Sequence, residues 1–418
     1  MRRFSVPGQI RPAILLSYVA FVLIGVSAGD NGVLLLAQMG DYGVDRAVIG
    51  ITFFTGSAGF VLGSLHSGVL IGRLGFRIAG LAGGVAFVLA TLYLASRPPL
   101  AALIAVQMVV GYATGMLESV LSAYIAAQSD ATTLLNRLHA FFGVGALIGP
   151  ALAAWIVGFT TWTVVCLVLA VACVPLAVGF ALVYPGSPPG PAVPPAPAAP
   201  ALASPPARGG LLGAALRDRG VLAGAAMLAV YVGVELGVGN WAFSYLVQGR
   251  GLSQSLAGYA VSGYWLGLTA GRFLISPVAA RLGLTTSGLM YCCLSGIAAA
   301  LTLTWLAPTS VTAGAALVLL GFFLGPVFPT TMAVASRLTS PRLAPTAIGV
   351  MNAGSSVGGA ALPWLAGAIT QGAGIGALFP FMLAMAVLQF ATWMPIAARI
   401  RTRPAVEPEP TAPAEAAS

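Results

Sequence analysis

Six ionisable residues, Asp30, His66, Glu118, His139, Glu235 and Arg272, stand inside stretches that are otherwise almost wholly apolar. A charge at the centre of a hydrocarbon layer costs about 2.5–3.5 kcal/mol on insertion scales, so each needs a partner, a proton or a task. Glu118 shares a helical stripe with Gly111, Gly115 and Ser122 and so points along a small-residue face rather than outward. A carboxyl kept from water there holds a proton more readily than an exposed one, which suits a group that must load and release protons. Asp30 lies beside Asn31 with Gly25, Gly29 and Gly32 close by, a polar spot that can hold a proton, accept a hydroxyl donor or bond the local backbone. Glu235 and Arg272 can meet as an ion pair, either structural or one that breaks during a working cycle. His139 is in line with Asn136 and Gly143 and could relay protons; His66 reads more simply as hydrogen-bonded packing.

A solute-binding set stands at similar depth: Asn31, Asn136, Asn240, Asn352, Trp241, Tyr264, Trp265 and Arg272. Amides and a guanidinium bond hydroxyl groups, and rings can stack on the face of a sugar, although packing is the competing role for the three aromatics. Two separated histidines make no metal site. Cys166, Cys173, Cys292 and Cys293 lie in apolar runs and read as small apolar side chains. No Ser-His-acid set, zinc motif or matched Asp pair appears, so an enzyme is not expected, nor a cofactor beyond a proton or a sodium ion as the coupling ion.

The elements that must hold these residues follow from hydropathy. Of 418 residues 58% are hydrophobic and 7% charged, and the mean hydropathy is +0.95. Soluble chains carry roughly 25% charged residues, so this one must sit in a lipid bilayer. A window of about 20 residues, the length that spans the hydrocarbon core, finds helices near 13–39, 49–71, 78–96, 100–128, 134–158, 160–184, 221–247, 256–279, 287–306, 312–336, 346–370 and 376–398. The net charge of +9 comes from 19 arginines and no lysine, dispersed rather than clustered, which excludes a nucleic-acid partner. With the N-terminus inside, Arg2, Arg3, Arg11, Arg73, Arg77, Arg137, Arg208, Arg217, Arg219, Arg281, Arg337, Arg342, Arg399, Arg401 and Arg403 fall on the cytoplasmic side, and only Arg46, Arg97 and Arg250 outside. The positive-inside rule therefore puts both termini in the cytoplasm and the protein in the cytoplasmic membrane. Val26-Ser27-Ala28 could pass for a signal cleavage site, but the apolar pattern runs on to about Met39, too long for a signal core.

Residues 185–206 hold ten prolines among Ala, Ser and Gly, the composition of a spacer. The expected organisation is a six-helix bundle over 1–184, a cytoplasmic linker over 185–217, a second bundle over 218–403 and a polar tail over 404–418. The bundles repeat. An offset of 208 aligns Gly25 with Gly233, Gly43 with Gly251, Gly59 with Gly267, Gly63 with Gly271, Arg73 with Arg281 and Gly75 with Gly283; at 209, Gly145 meets Gly354, Gly149 meets Gly358 and Trp155 meets Trp364. Parallel six-helix repeats point to a transporter whose site lies between the halves near mid-membrane.

The run from Gly68 through Arg73, Leu74 and Gly75 to Arg77, between the second and third helices, resembles the loop signature of the major facilitator superfamily. That resemblance implies an all-α membrane protein of twelve transmembrane helices in two pseudo-symmetric bundles, with Gly68, Arg73, Gly75, Arg77 and the repeat-related Arg281 as a gating loop. Asn136-Arg137-Leu138-His139 followed by Ala140 to Pro150, with Glu118 and Asp30, is similar to the fucose, galactose and glucose permease branch. This branch implies proton-coupled sugar uptake with Glu118 and Asp30 carrying the proton; the ionisable Glu235 and His139 within the membrane are added as further proton-coupling candidates. The segment Gly145 to Pro150 also resembles the fifth-helix signature of antiporters, which keeps proton-coupled export of drugs or metabolites as the alternative. A monomer in the lipid bilayer with a small-molecule substrate is expected.

Overall fold

The computed structural model of the protein describes residues 12–185, 210–340 and 342–402. The proline-rich spacer over 186–209, the tail, and Arg2, Arg3, Arg11, Arg208 and Arg403 lie outside the described residues. The first half contains α1 (Pro12–Tyr42), α2 (Ile51–Ala95), α3 (Leu100–Ala126), α4 (Ala131–Val157) and α5 (Trp162–Val183). The second contains α6 (Arg219–Ser244), α7 (Gln254–Arg281), α8 (Thr286–Leu306), α9 (Ser310–Leu324), α10 (Ala344–Ala373) and α11 (Leu378–Thr402).

Polar side chains start the helices of the second half. Ser253, Thr285 and Thr309 each accept a backbone N–H of the first turn, and Thr309 forms a reciprocal capping box with Thr312. Two departures from the expected segments have local causes. The second and third crossings are not separated by a loop: α2 runs through both and breaks only at Gly75, whose φ of +81° only glycine adopts without strain. The tenth crossing stops at Leu324, because Gly325 is pressed against the backbone of α7 and Pro326 has no N–H to continue the ladder; the chain resumes as a short helix over Val327–Ala333.

Among the described residues, nine helical stretches are long and apolar enough to cross a membrane on length and composition alone. One of them, Arg46–Ala95, folds in two at Gly75. The remaining two crossings of the twelve are α7 and α10, whose Gly, Ser and Thr content lowers their hydropathy; each packs one face against the opposite half.

The repeated glycines perform the same work in both halves. A methyl group at Gly59 or Gly63 would collide with the carbonyl oxygens of Met108 and Tyr112 on α3; at Gly267 or Gly271 it would collide with those of Val318 and Phe322 on α9. Backbones in van der Waals contact are how helices associate where lipid is as apolar as the side chains. The positive φ angles also recur at the repeat offset, at Gly43 and Gly251 and at Gly75 and Gly283.

One end of the molecule is rich in arginine and the other poor. Arg97 and Arg250, at the poor end, each tie their own half. Arg97 donates to both carboxylate oxygens of Asp41, at 2.8 and 2.6 Å, and Trp162 donates to the same carboxylate at 2.9 Å. Arg250 donates to the carbonyls of Ala307 and Trp305, both at 2.8 Å.

At the arginine-rich end Asp218 caps α6, accepting from Gly220 N–H at 2.8 Å and from the Thr339 hydroxyl at 2.9 Å, with Arg399 at 2.9 Å. Burial alone would raise its pKa, but the Thr339, Gly220 and Arg399 interactions outweigh burial and hold the carboxyl below its ordinary value. A depressed folded pKa stabilises above the unfolded value and is lost as pH falls through the folded one. Asp218→Asn is therefore expected to lower the melting temperature in detergent at neutral pH, and the gap from wild type to close as the pH is taken below the ordinary carboxylate range.

Candidate functional site

A cavity of about 430 Å³ lies between the halves, within the range of about 300–1,000 Å³ typical of small-ligand sites. Both acids expected to move protons line it, Asp30 from α1 and Glu118 from α3. The α1–α4 contact fixes Asp30: Gly29 backs onto the Ala146 carbonyl and Gly149 onto the backbone nitrogen of Asp30 itself. Glu118 is set by α3 on α2, where Gly111 and Gly115 press against the carbonyls of Gly56 and Phe60. Amides come from both halves. Asn31 Nδ2 donates to Asn240 Oδ1 at 2.6 Å across the seam, and Asn240 Nδ2 donates to the Leu236 carbonyl at 2.7 Å. Asn352 lines the cavity from α10 together with Ser355 and Ser356.

Exposure falls from one side of the cavity to the other. Ala28 is exposed and Glu118 and Asn352 are half-buried, whereas Asp30, Thr52, Thr91 and Cys166 are buried. The seam beyond the buried side is closed by contacts between the halves at the arginine-poor end. Arg46 donates to Gln248 Oε1 at 2.6 Å and to the Thr370 carbonyl at 3.2 Å, and its backbone N–H to Gln371 Oε1 at 3.2 Å. Trp364 Nε1 donates to the Ala47 carbonyl at 3.1 Å, and Phe54 meets the Trp364 ring edge-on. Gly143 is packed against Thr269 and Gly258 against Ala154 and Pro150, so α4 and α7 hold together from mid-depth to that end.

Several expected residues lie elsewhere. Glu235 and Arg272 form an ion pair at 3.1 Å within the second half and do not line the cavity. The buried Tyr231 hydroxyl stands beside this pair, close enough to interact with both Glu235 and Arg272. Trp241, Tyr264 and Trp265 were expected to offer ring faces to the solute, and their rings are turned into packing instead. Trp241 is fully buried, donates to the Pro363 carbonyl at 2.8 Å and packs on Gly367; Tyr264 donates to the Glu235 carbonyl at 2.9 Å; Trp265 packs edge-on to Tyr264 and against Gly239. The physical reason is the rotation of α6, whose tryptophan face meets α10 rather than α1. Asn136 and His139 are exposed, outside the cavity, with His139 edge-on to Phe21 and near enough to Arg272 for the two charges to interact. His66 meets the Tyr112 hydroxyl on the neighbouring helix.

Of the expected gating loop, Gly68, Arg73 and Arg281 are exposed, Gly75 makes the break in α2, and Arg77 Nε donates to the Tyr184 carbonyl at 2.8 Å, a tie within the first half. Sequence reasoning did not single out Gln107, Thr91, Thr114 or Ser355, all of which line the cavity. A signal existed for two of them, since Gln107 and Thr114 stand three turns and one turn from Glu118 on the same face of α3. Among the described residues no cluster of His, Cys, Asp and Glu could hold a metal ion.

Twelve crossings in two repeats around a shared cavity bearing carboxylates define a membrane transporter of the two-bundle kind. The sequence profile of the Major Facilitator Superfamily matches residues 14–363 and again 240–418, and the chain belongs to that superfamily. It is 24% identical over 398 residues to Bypass of stop codon protein 6 of Saccharomyces cerevisiae, covering 88% of this chain and 78% of the yeast protein. Among solved structures it resembles a variant of the nucleoside transporter NupG, with a TM-score of 0.75, 14% identity and coverage of 93% of this chain and 100% of that one. It also resembles a bacterial homologue of the human lysosomal transporter Spinster in an inward-facing, unoccupied conformation, with a TM-score of 0.73, 14% identity and coverage of 96% and 100%. At these identities the likeness to solved structures is one of fold.

Proposed function

We propose that the protein carries a small polar solute, a monosaccharide in the first instance, into the cell together with protons by alternating access of its two halves. The observation that carries this reading is the pair Asp30 and Glu118 lining one cavity that no basic side chain among its described lining residues shares. Glu118, half-buried toward the open side, takes the proton, with Asp30 as the second candidate. Solute binds among the amides and hydroxyls, the halves rock, and proton and solute leave together. The arginine-rich end is cytoplasmic by the positive-inside rule, so the cavity described here opens inward. Arg73 and Arg281, exposed at that end in repeat-related positions, fit a gate that closes when the halves rock the other way.

Apolar lining from Phe53, Phe60, Phe142 and Leu169 favours a second reading, export of apolar cations in exchange for protons on the same carboxylates. One assay separates the two. Purified protein in vesicles holding a pH dye is offered sugars, nucleosides and cationic drugs in sodium-free buffer. Inward proton flux driven by a sugar or nucleoside is the expected result. Outward-coupled flux with drugs alone, or a strict need for sodium, overturns the symport reading.

A further inference from the structure

Asp30 is 1% exposed, and among the described residues its Oδ2 has no hydrogen-bond partner although it belongs to the cavity wall. Its neighbour in sequence, Asn31, spends its amide nitrogen on Asn240 Oδ1, which leaves the Asn31 side-chain oxygen as a further acceptor on the same cavity wall. The chain contains no lysine. Arg272 and Arg46, which stand elsewhere in the membrane-spanning part, are held by Glu235 and by Gln248 and the Thr370 carbonyl, and no arginine is among the described residues that line the cavity. The buried end of the cavity therefore offers acceptors without a matching cation among the described residues.

A neutral polyol can donate hydroxyls to an ionised Asp30 but leaves its buried charge uncompensated unless the acid takes a proton. A primary ammonium, with three donors and no acceptor, completes it directly and leaves the proton to Glu118 alone. We propose that the solute is a polyol of monosaccharide size bearing one primary ammonium group, which pairs with Asp30 while its hydroxyls meet Gln107, Thr114 and Asn352. This rests on the reading of the cavity as the solute site. It divides the two acids by task, Asp30 for the cation of the solute and Glu118 for the coupling proton, and it accounts for the exclusion of arginine from the wall. Anionic solutes such as sugar phosphates are rejected by the same charge.

The test is uptake into vesicles of 2-amino-2-deoxy hexoses, the parent hexoses and their N-acetyl derivatives, in the gluco, galacto and manno series, each as a competitor of the others. A charged hydrogen-bonded pair in a buried site implies a preference for the amine over the parent hexose of about tenfold or more in at least one series. In Asp30→Asn that ratio falls to about one, whatever rate remains. Should the variant fail to fold, thermal stabilisation of the wild-type protein in detergent by the amine, and not by the hexose or N-acetyl compound, reads the same preference. Equal handling of the three forms, or binding of none, overturns the proposal. Proton-coupled uptake of the neutral hexoses without preference for the amines would overturn it while leaving the symport reading intact, and preference for the amines without proton flux would do the reverse.

Discussion

Glu118→Gln is expected to abolish concentrative uptake while leaving exchange of solute across the membrane. The amide keeps the size and most hydrogen bonds of the carboxyl but cannot take up and release a proton, so the variant should still bind and rock yet no longer feel the proton gradient. One proton moved through a membrane potential of 100 mV supplies about 2.3 kcal/mol, which corresponds to an accumulation of about 50-fold at equilibrium. For a neutral solute, wild-type protein in vesicles with an imposed potential of about 100 mV and equal pH on both sides should approach that ratio, and the variant a ratio of about one. Counterflow, in which labelled solute outside exchanges for unlabelled solute inside, should persist in the variant because it needs no net proton movement. Accumulation that survives in Glu118→Gln would move the coupling role to Asp30; loss of both accumulation and counterflow would make Glu118 a solute ligand instead.

Glu118 and Asp30 were legible because a carboxylate within an apolar run stands out in one dimension, and the glycines at one-turn spacing beside each show which face meets a neighbouring helix. The duplication was legible for a related reason. Gly59 and Gly63 meet the carbonyls of α3 as Gly267 and Gly271 meet those of α9, so packing constrains the same positions in both halves. Rotation about a helix axis is another matter. Whether Trp241 faces the cavity or Gly367 depends on the neighbour that α6 meets at that height, and no periodicity within α6 encodes it. Nor does local pattern reveal contacts between distant segments: Arg46 reads as an ordinary loop arginine, yet its partners Gln248 and Thr370 stand 202 and 324 residues away. Gln107 is the intermediate case, set on the same face as Glu118 by helical spacing but uncharged and hence inconspicuous.

Arg46→Ala is expected to loosen the seal at the arginine-poor end and shift the protein toward the state open on that side. The side chain donates to Gln248 and to the Thr370 carbonyl across the seam, while the backbone N–H to Gln371 survives the substitution. Each lost bond is worth about 0.5–1.5 kcal/mol, and Gln248 is exposed, which puts its bond at the low end, so a total of about 1–2 kcal/mol is reasonable. That is a shift of about 5- to 30-fold in the balance between the two states. Cys166 supplies a reporter, since it lines the buried end of the cavity beneath this seal. In a background carrying Cys173→Ser, Cys292→Ser and Cys293→Ser, a membrane-impermeant maleimide added on the arginine-poor side should label Cys166 slowly in the otherwise native protein and at least about fivefold faster with Arg46→Ala. Adding Trp364→Phe, which removes the bond to the Ala47 carbonyl, should increase the rate again. If Arg46 only caps its own loop, labelling from that side stays slow in both variants, because the packing of α4 on α7 and of Gly32 against Asn240 then keeps the seam closed unaided.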